Sequence, residues 1–168
     1  MDLVKENDSL LRNNCEPWDF IIDGDPMPVV EQMTKIMFTN GGIGLAAPQV
    51  GINKRLFIMG NQDLLVACIN PEIVETIGTV RDIEGCLSFP NLFLAVKRPE
   101  HIIVEFLDRD KQKHIIRLDN IDARCFLHEL DHMDGKKFVE LVGPATLMTA
   151  KRKQEKMMKK FVRRQKKK

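Results

Sequence analysis

Ile121-Asp122-Ala123-Arg124-Cys125-Phe126-Leu127-His128-Glu129-Leu130-Asp131-His132-Met133 is the stretch around which this chain is organised. Ile121, Arg124, Cys125, His128 and His132 recur at helical spacing and share one face. Asp134-Gly135 supplies the stop. His128 and His132 stand four apart, so their imidazoles lie one above the other. Both can reach a single metal ion, with Glu129 beside them as a candidate general base. Phe126, Leu127, Leu130 and Met133 argue against a solvated surface helix. Two buried histidines need a shared polar partner, and a metal ion is the economical one. The pentapeptide at 128–132 therefore reads as part of a metal-hydrolase site.

A catalytic metal takes three protein ligands and keeps one position open. The third ligand has to come from elsewhere in the chain. Glu140 is the nearest downstream candidate. Glu84-Gly85-Cys86-Leu87-Ser88 offers a better one upstream, a thiolate between a glycine and an apolar residue ahead of a strand. His101 and His114 lie beside strand-like runs with charged neighbours and are expected at the surface. Cys15 and Cys68 are widely spaced, with no C-x-x-C pattern, and read as small buried hydrophobes.

Outward from the helix the periodicity changes. Across 28–39, Val29, Val30, Met33, Ile36 and Met37 predict an amphipathic helix, stopped by Asn40-Gly41-Gly42. The segment at 42–51 fits neither a helical nor an alternating pattern. Its small residues let a backbone come close to a ligand, a metal site or another chain. Runs rich in Ile, Val, Leu and Phe predict strands at 55–59, 64–69, 73–77, 93–96, 102–107 and 114–118. Turns are expected at Asn70-Pro71 and Asp108-Arg109-Asp110. Gly143-Pro144 opens a last helix carrying Leu147, Met148, Met157, Met158, Phe161 and Val162 among lysines. Its apolar stripe is expected to dock at its start and to fray toward Lys168. Helix, strands, helix and basic helix make an α+β order. The expected division is one catalytic domain over 1–150 and a basic helical tail over 151–168.

At 168 residues the chain is long enough for one domain with a real core. No apolar run approaches the ~20 residues that span a bilayer. Met1-Asp2-Leu3-Val4-Lys5-Glu6 lacks the features of a secretory signal. A cytoplasmic location and no membrane partner are expected. The net charge of +2 conceals an asymmetry, because 151–168 holds 11 Lys/Arg and one acid. The rest of the chain is acidic. A basic tail suggests an anionic partner such as nucleic acid or a ribonucleoprotein surface.

Three stretches together resemble the signature motifs of the peptide deformylase family. They are Gly42-Ile43-Gly44-Leu45-Ala46-Ala47-Pro48-Gln49, Glu84-Gly85-Cys86-Leu87-Ser88 and His128-Glu129-Leu130-Asp131-His132. They occur in the family's order and near its usual separations. The resemblance runs over 28–140 and includes Ile69-Asn70-Pro71-Glu72 and Val96-Lys97-Arg98. It implies antiparallel β-sheets around a central metal-binding helix. It implies one divalent metal held by Cys86, His128 and His132: ferrous iron first, with zinc, nickel or cobalt as alternatives. The implied substrate is the N-formyl-methionyl end of a nascent polypeptide, and formate is released.

The resemblance also assigns roles. A metal-activated water would be the nucleophile, since a bound metal lowers the pKa of water toward ~7. Glu129 would serve as base and then acid. The Gln49 amide and the Leu87 N–H would hold the developing oxyanion, where losing one donor costs ~10²–10³ in rate. Ile43, Gly44, Glu84, Gly85, Ile121, Arg124, Cys125 and His128 would bind the substrate. The chain would pair its backbone beside 42–47 in a β-augmentation mode. Plain core packing competes for Ile121 and Cys125.

Three features depart from the usual pattern: Leu127 where Gln is common, Met133 where Leu is common, and the strongly basic tail. Asp131 points away from the histidine face, with Arg98 as its expected partner. The tail would dock on the ribosome. Removing 151–168 is expected to leave short-peptide hydrolysis intact and to weaken salt-sensitive ribosome binding. A metalloprotease would leave Cys86 and the 42–49 segment without a role. A catalytically idle binding protein would have no need of Glu129, Cys86 and Gln49 together.

Overall fold

The computed structural model describes residues 1–165, with side chains described as far as Lys160. Lys166, Lys167 and Lys168, and the side chains of Phe161 and Val162 in the expected apolar stripe, lie outside the described residues. Among the described residues there are three α-helices and seven strands: α1 (Met27–Thr39), β1 (Gly44–Ala46), β2 (Leu56–Gly60), β3 (Leu65–Ile77), β4 (Val80–Cys86), β5 (Phe89–Arg98), β6 (His101–Leu107), β7 (Lys113–Asp119), α2 (Asn120–Met133) and α3 (Pro144–Gln165). Five strands form one antiparallel sheet in the order β1-β2-β3-β6-β7. β4 and β5 form a separate two-stranded sheet.

The large sheet lies between α1 and α2. Alternate residues of β2 serve the two sides, because successive side chains on a strand point to opposite faces. Phe57 and Met59 join Ile102, Val104, Phe106, Phe126, Leu130 and Met133 against α2. Leu56 and Ile58 join Val30, Met33, Met37, Leu45 and Ile69 against α1. Phe57 meets Phe126 edge to face at 5.0 Å. Truncating a fully buried phenylalanine of this kind costs about 3–5 kcal/mol. A third, smaller core of Phe89, Leu92, Leu94, Val96 and Phe138 backs the two-stranded sheet.

Several expectations need correction. The runs at 64–69 and 73–77 are one strand, β3, and Asn70-Pro71 is an irregularity inside it. Asn70 takes φ 50, the left-handed region that Asn tolerates. Its side chain accepts from the Trp18 N–H at 2.7 Å and donates to the Trp18 carbonyl at 3.0 Å. The turn signal thus marks a bulge that anchors the N-terminal segment. β4 was not anticipated, and β5 begins at Phe89 rather than at 93. The segment after Gly42 contains a three-residue edge strand and then a 3₁₀ turn, Ala47–Val50. His101 and His114 are half-buried rather than exposed, each against an aspartate, Asp119 at 2.6 Å and Asp108 at 2.7 Å. Cys15 and Cys68 are buried, as expected. α3 passes residue 150 without a break.

Candidate metal centre and cleft

α2 buries the side chains of its candidate site residues. His128, Glu129 and His132 are all buried, with Phe126, Leu127 and Leu130 packed around them. Leu127 and Met133, the two departures from the usual pattern, lie in this core. Cys86 ends β4 and faces the helix from the small sheet. The ligand atoms of Cys86, His128 and His132 all lie within 4.8 Å of one another. The Cys86 sulfur is 3.2 Å from His132 Nε2. A thiolate and two imidazoles converging in this way suit a divalent transition metal. Glu140 is absent from this cluster and pairs with Lys137 at 3.3 Å.

The histidines are oriented from behind. His128 Nδ1 lies 3.1 Å from Glu84 Oε2, which leaves its Nε2 for a metal. Glu84 is a junction. Arg98 donates to both its oxygens, at 2.9 and 3.0 Å, and Arg124 donates to Oε1 at 2.6 Å. Burial alone would raise the Glu84 carboxyl. The hydrogen bonds and charges of His128 and Arg98 outweigh it and lower the group to about 2. Arg98 also pairs with Asp131, the expected partner. Burial disfavours a charged His128, yet the hydrogen bonds to Cys86 and Glu84 raise it to about 10. Burial pushes His132 well below the usual imidazole range.

Glu129 has the opposite surroundings from Glu84. Its Oε2 is buried without a hydrogen-bond partner. Burial pushes its carboxyl up to about 7, where it can accept and release a proton near neutrality. Gly44 explains how backbone reaches it. A Cβ there would stand 2.5 Å from Glu129 Oε1 and 2.6 Å from the Cys125 sulfur, so only glycine fits. Gly42 makes a similar approach to Leu87, at 2.8 Å.

Gln49 is held in one orientation. Its Oε1 accepts from the Ala46 N–H at 2.8 Å, so Nε2 is the atom aimed at the centre. Nε2 lies 3.2 Å from Ser88 Oγ and 3.4 Å from the Cys86 sulfur. A cleft of about 450 Å³ opens over this group. It is lined by Ile43, Gly44, Gln49, Glu84, Gly85, Cys86, Leu87, Ile121, Arg124, Cys125, His128 and Glu129, among others. Every expected site residue is therefore in the cleft or, for His132, in the donor cluster beneath it. Ile121 is 55% exposed, so core packing does not describe it. Cys125 is buried and also touches the cleft, with its sulfur 3.5 Å from the Ile43 carbonyl.

Ile83, Pro90, Asn91 and Phe93, none of them expected at the site, are among the other residues that line the cleft. Phe93 had a signal. Leu92, Leu94 and Val96 point inward on β5, and Phe93 is a large apolar residue between them, out of phase and 58% exposed. Its ring lies over Gly85.

Comparison with known proteins agrees with this geometry. The family model described as polypeptide deformylase matches residues 1–146. A peptide deformylase of Acetivibrio thermocellus is 40% identical over 138 residues, covering 82% of this chain and 81% of that protein. The solved peptide deformylase of Legionella pneumophila superposes with a TM-score of 0.87 at 34% identity, covering 96% of this chain and 97% of that one. A peptide deformylase from Synechococcus elongatus, solved in complex with actinonin, gives 0.86 at 36% identity, covering 92% and 85%. The chain belongs to the peptide deformylase family of metal-dependent hydrolases, whose reaction removes the formyl group from N-formyl-methionyl peptides.

Proposed function

We propose that Cys86, His128 and His132 hold the metal of this deformylase and that Glu129 moves the proton of its reaction. The observation that carries this reading is the buried Glu129 oxygen with no partner, on the helix turn between two histidines that converge on a cysteine. A bound metal acts as a Lewis acid toward water and the formyl oxygen. Ferrous iron is the proposed ion, as in the family members this chain resembles; the same donors suit nickel, cobalt or zinc.

Glu129 Oε2 takes the proton of the attacking water and delivers it to the departing amine nitrogen. The fixed Nε2 of Gln49 and the N–H of Leu87 donate to the oxygen on which charge develops. The open edge of β1 accepts the peptide backbone as an added strand, with Gly44 admitting it close to Glu129. Ile43, Gly85, Ile121, Arg124 and Cys125 shape the space for the methionine side chain. Glu84 is a positioning residue, since its oxygens are occupied by Arg98, Arg124 and His128.

The test is formate release from a formyl-methionyl peptide by protein purified without oxygen, with its metal content measured. Native protein that releases no formate with iron or nickel bound overturns the assignment of this site.

The proposed setting is the cytoplasm, at the ribosome. Lys151, Arg152, Lys153, Lys156, Lys159 and Lys160 are exposed along α3 and offer a cationic face to ribosomal RNA. Replacing these residues with glutamine should flatten the salt dependence of ribosome binding. An unchanged salt dependence counts against the docking role. Among the described residues no helix is long and apolar enough to cross a membrane.

A further inference from the structure

One wall of the cleft is an interruption in a sheet. β4 and β5 pair in register from Val80↔Arg98 to Gly85↔Phe93, and the next pair is Cys86↔Phe89. Pro90, Asn91 and Leu92 have no partner on β4, and all three line the cleft. Asn91 sits at φ 62, in the left-handed region. A bulge that leaves its residues outside the ladder needs restraint from elsewhere.

Leu92 provides one restraint, fully buried in the small core. α3 provides the others. Gln154 Nε2 donates to the Pro90 carbonyl at 2.7 Å. Asn91 Nδ2 lies 3.3 Å from the Met158 sulfur. Leu147 and Ala150, earlier on the helix, pack into the same core as Cys86. Residues 147, 150, 154 and 158 follow helical spacing and make one face turned toward β5, with Met158 at its exposed end. The neighbouring lysines and arginine face solvent.

The geometry points to Gln154 and Met158 as positioning residues for substrate binding, which brace the 90–92 wall of the cleft from behind. This rests on the cleft being the formyl-peptide site. It predicts, against the expectation for 151–168, that removing the tail also raises KM for a short peptide, because two residues of that tail contact the wall. When the brace is cut, the bulge samples more conformations, and the peptide must select the competent one. That raises KM and leaves the proton-transfer geometry at Glu129 unchanged.

The experiment uses the full-length, metal-loaded protein and a formyl-methionyl tripeptide. Gln154→Ala should raise KM about 3- to 10-fold, the loss of one net hydrogen bond, with kcat nearly unchanged. Gln154→Lys keeps a donor of similar reach and should return KM toward the parent value. Glu155→Ala, on the exposed face, should match the parent. Amide hydrogen exchange without substrate gives a readout independent of turnover: Asn91, Leu92 and Phe93 should exchange faster in Gln154→Ala. If Gln154→Ala loses its cooperative thermal transition, Met158→Ala carries the same two readouts. Parent-like KM and exchange overturn the brace, and so does a fall in kcat at parent KM. An inactive parent enzyme would instead count against the deformylase site, and exchange at 91–93 would still decide the brace.

Discussion

His128, Glu129 and His132 stand on a helix packed against a five-stranded sheet, whereas Cys86 ends a strand of a two-stranded one. The helix side has a large core built from both α2 and the sheet. The cysteine side has a small core that borrows Phe138, Leu147 and Ala150 from the chain beyond α2. A metal centre here is therefore a joint between a stiff half and a lighter half. In the proposed site the histidines would set the geometry, and the thiolate would be brought to them. Glu84 is the stitch, a β4 residue bonded to His128 and Arg124 on α2 and to Arg98 on β5.

The largest effect should come from the stiff half. Glu129→Gln keeps shape and removes the proposed base, so kcat should fall by about 10²–10⁴-fold. Metal content, measured by elemental analysis, should stay at the parent level. Activity near that of the parent would take the helix out of the chemistry.

Cutting the stitch comes next. Glu84→Gln leaves two buried arginines short of a counter-charge, and breaking such a pair costs about 3–5 kcal/mol. Denaturant unfolding measures it. Because the folded-state carboxyl is lowered to about 2, its contribution is complete above the ordinary carboxylate range and fades as pH falls from that range down through about 2. The gap between parent and variant should accordingly narrow in acid. A constant gap would mean that shape, not charge, joins the halves.

Removing the metal sharpens the contrast without a mutation. After chelation, a thiol reagent at mildly alkaline pH should label Cys86, the half-buried cysteine, and restored metal should protect it. Burial raises the Cys15 thiol to about 11 and pushes Cys68 and Cys125 up as well, so these should react only on unfolding. Early labelling of Cys68, which lies in the core between α2 and the large sheet, would, by peptide mass mapping, show the helix half to be the looser one. The smallest effect belongs to Asp131→Asn. The Arg98–Asp131 pair is part-buried, and Arg98 keeps both Glu84 oxygens when it is cut, so the loss should be smaller than that for Glu84→Gln. A larger loss would make Asp131, rather than Glu84, the main anchor of Arg98.

The two halves also differed in how well the sequence disclosed them. α2 and α1 were visible because a helix packed on one face repeats its apolar residues every 3.6 positions. β6 was visible because Ile102, Val104 and Phe106 alternate with less buried neighbours. β4 was not. Glu84 is its one buried residue, and Val80, Arg81, Asp82 and Ile83 give no alternation. It holds its place through pairing with β5 and through the charges on Glu84, neither of which is periodic. Asn70-Pro71 misled because a turn and a bulge use the same left-handed asparagine. Glu84 was anticipated in the cleft, yet its partners Arg98, Arg124 and His128 are 14, 40 and 44 residues away. Contacts at that range leave no local pattern. The brace from Gln154 to Pro90 was hidden in the same way, since 64 residues separate the two and Gln154 lies outside the apolar stripe expected of α3.

The open edge of β1 has a consequence for the protein's solubility. An unpaired strand invites any extended chain, including another copy of the same protein. β1 is three residues long, with Gly41 and Gly42 before it and Pro48 soon after. A guest peptide needs only a few backbone hydrogen bonds, because side-chain and metal contacts can add to them. A second copy pairing edge to edge would have to hold on with those few bonds alone. Shortness thus separates a receptive edge from a sticky one, and lengthening β1 by two paired residues should favour edge-to-edge self-association, read by light scattering.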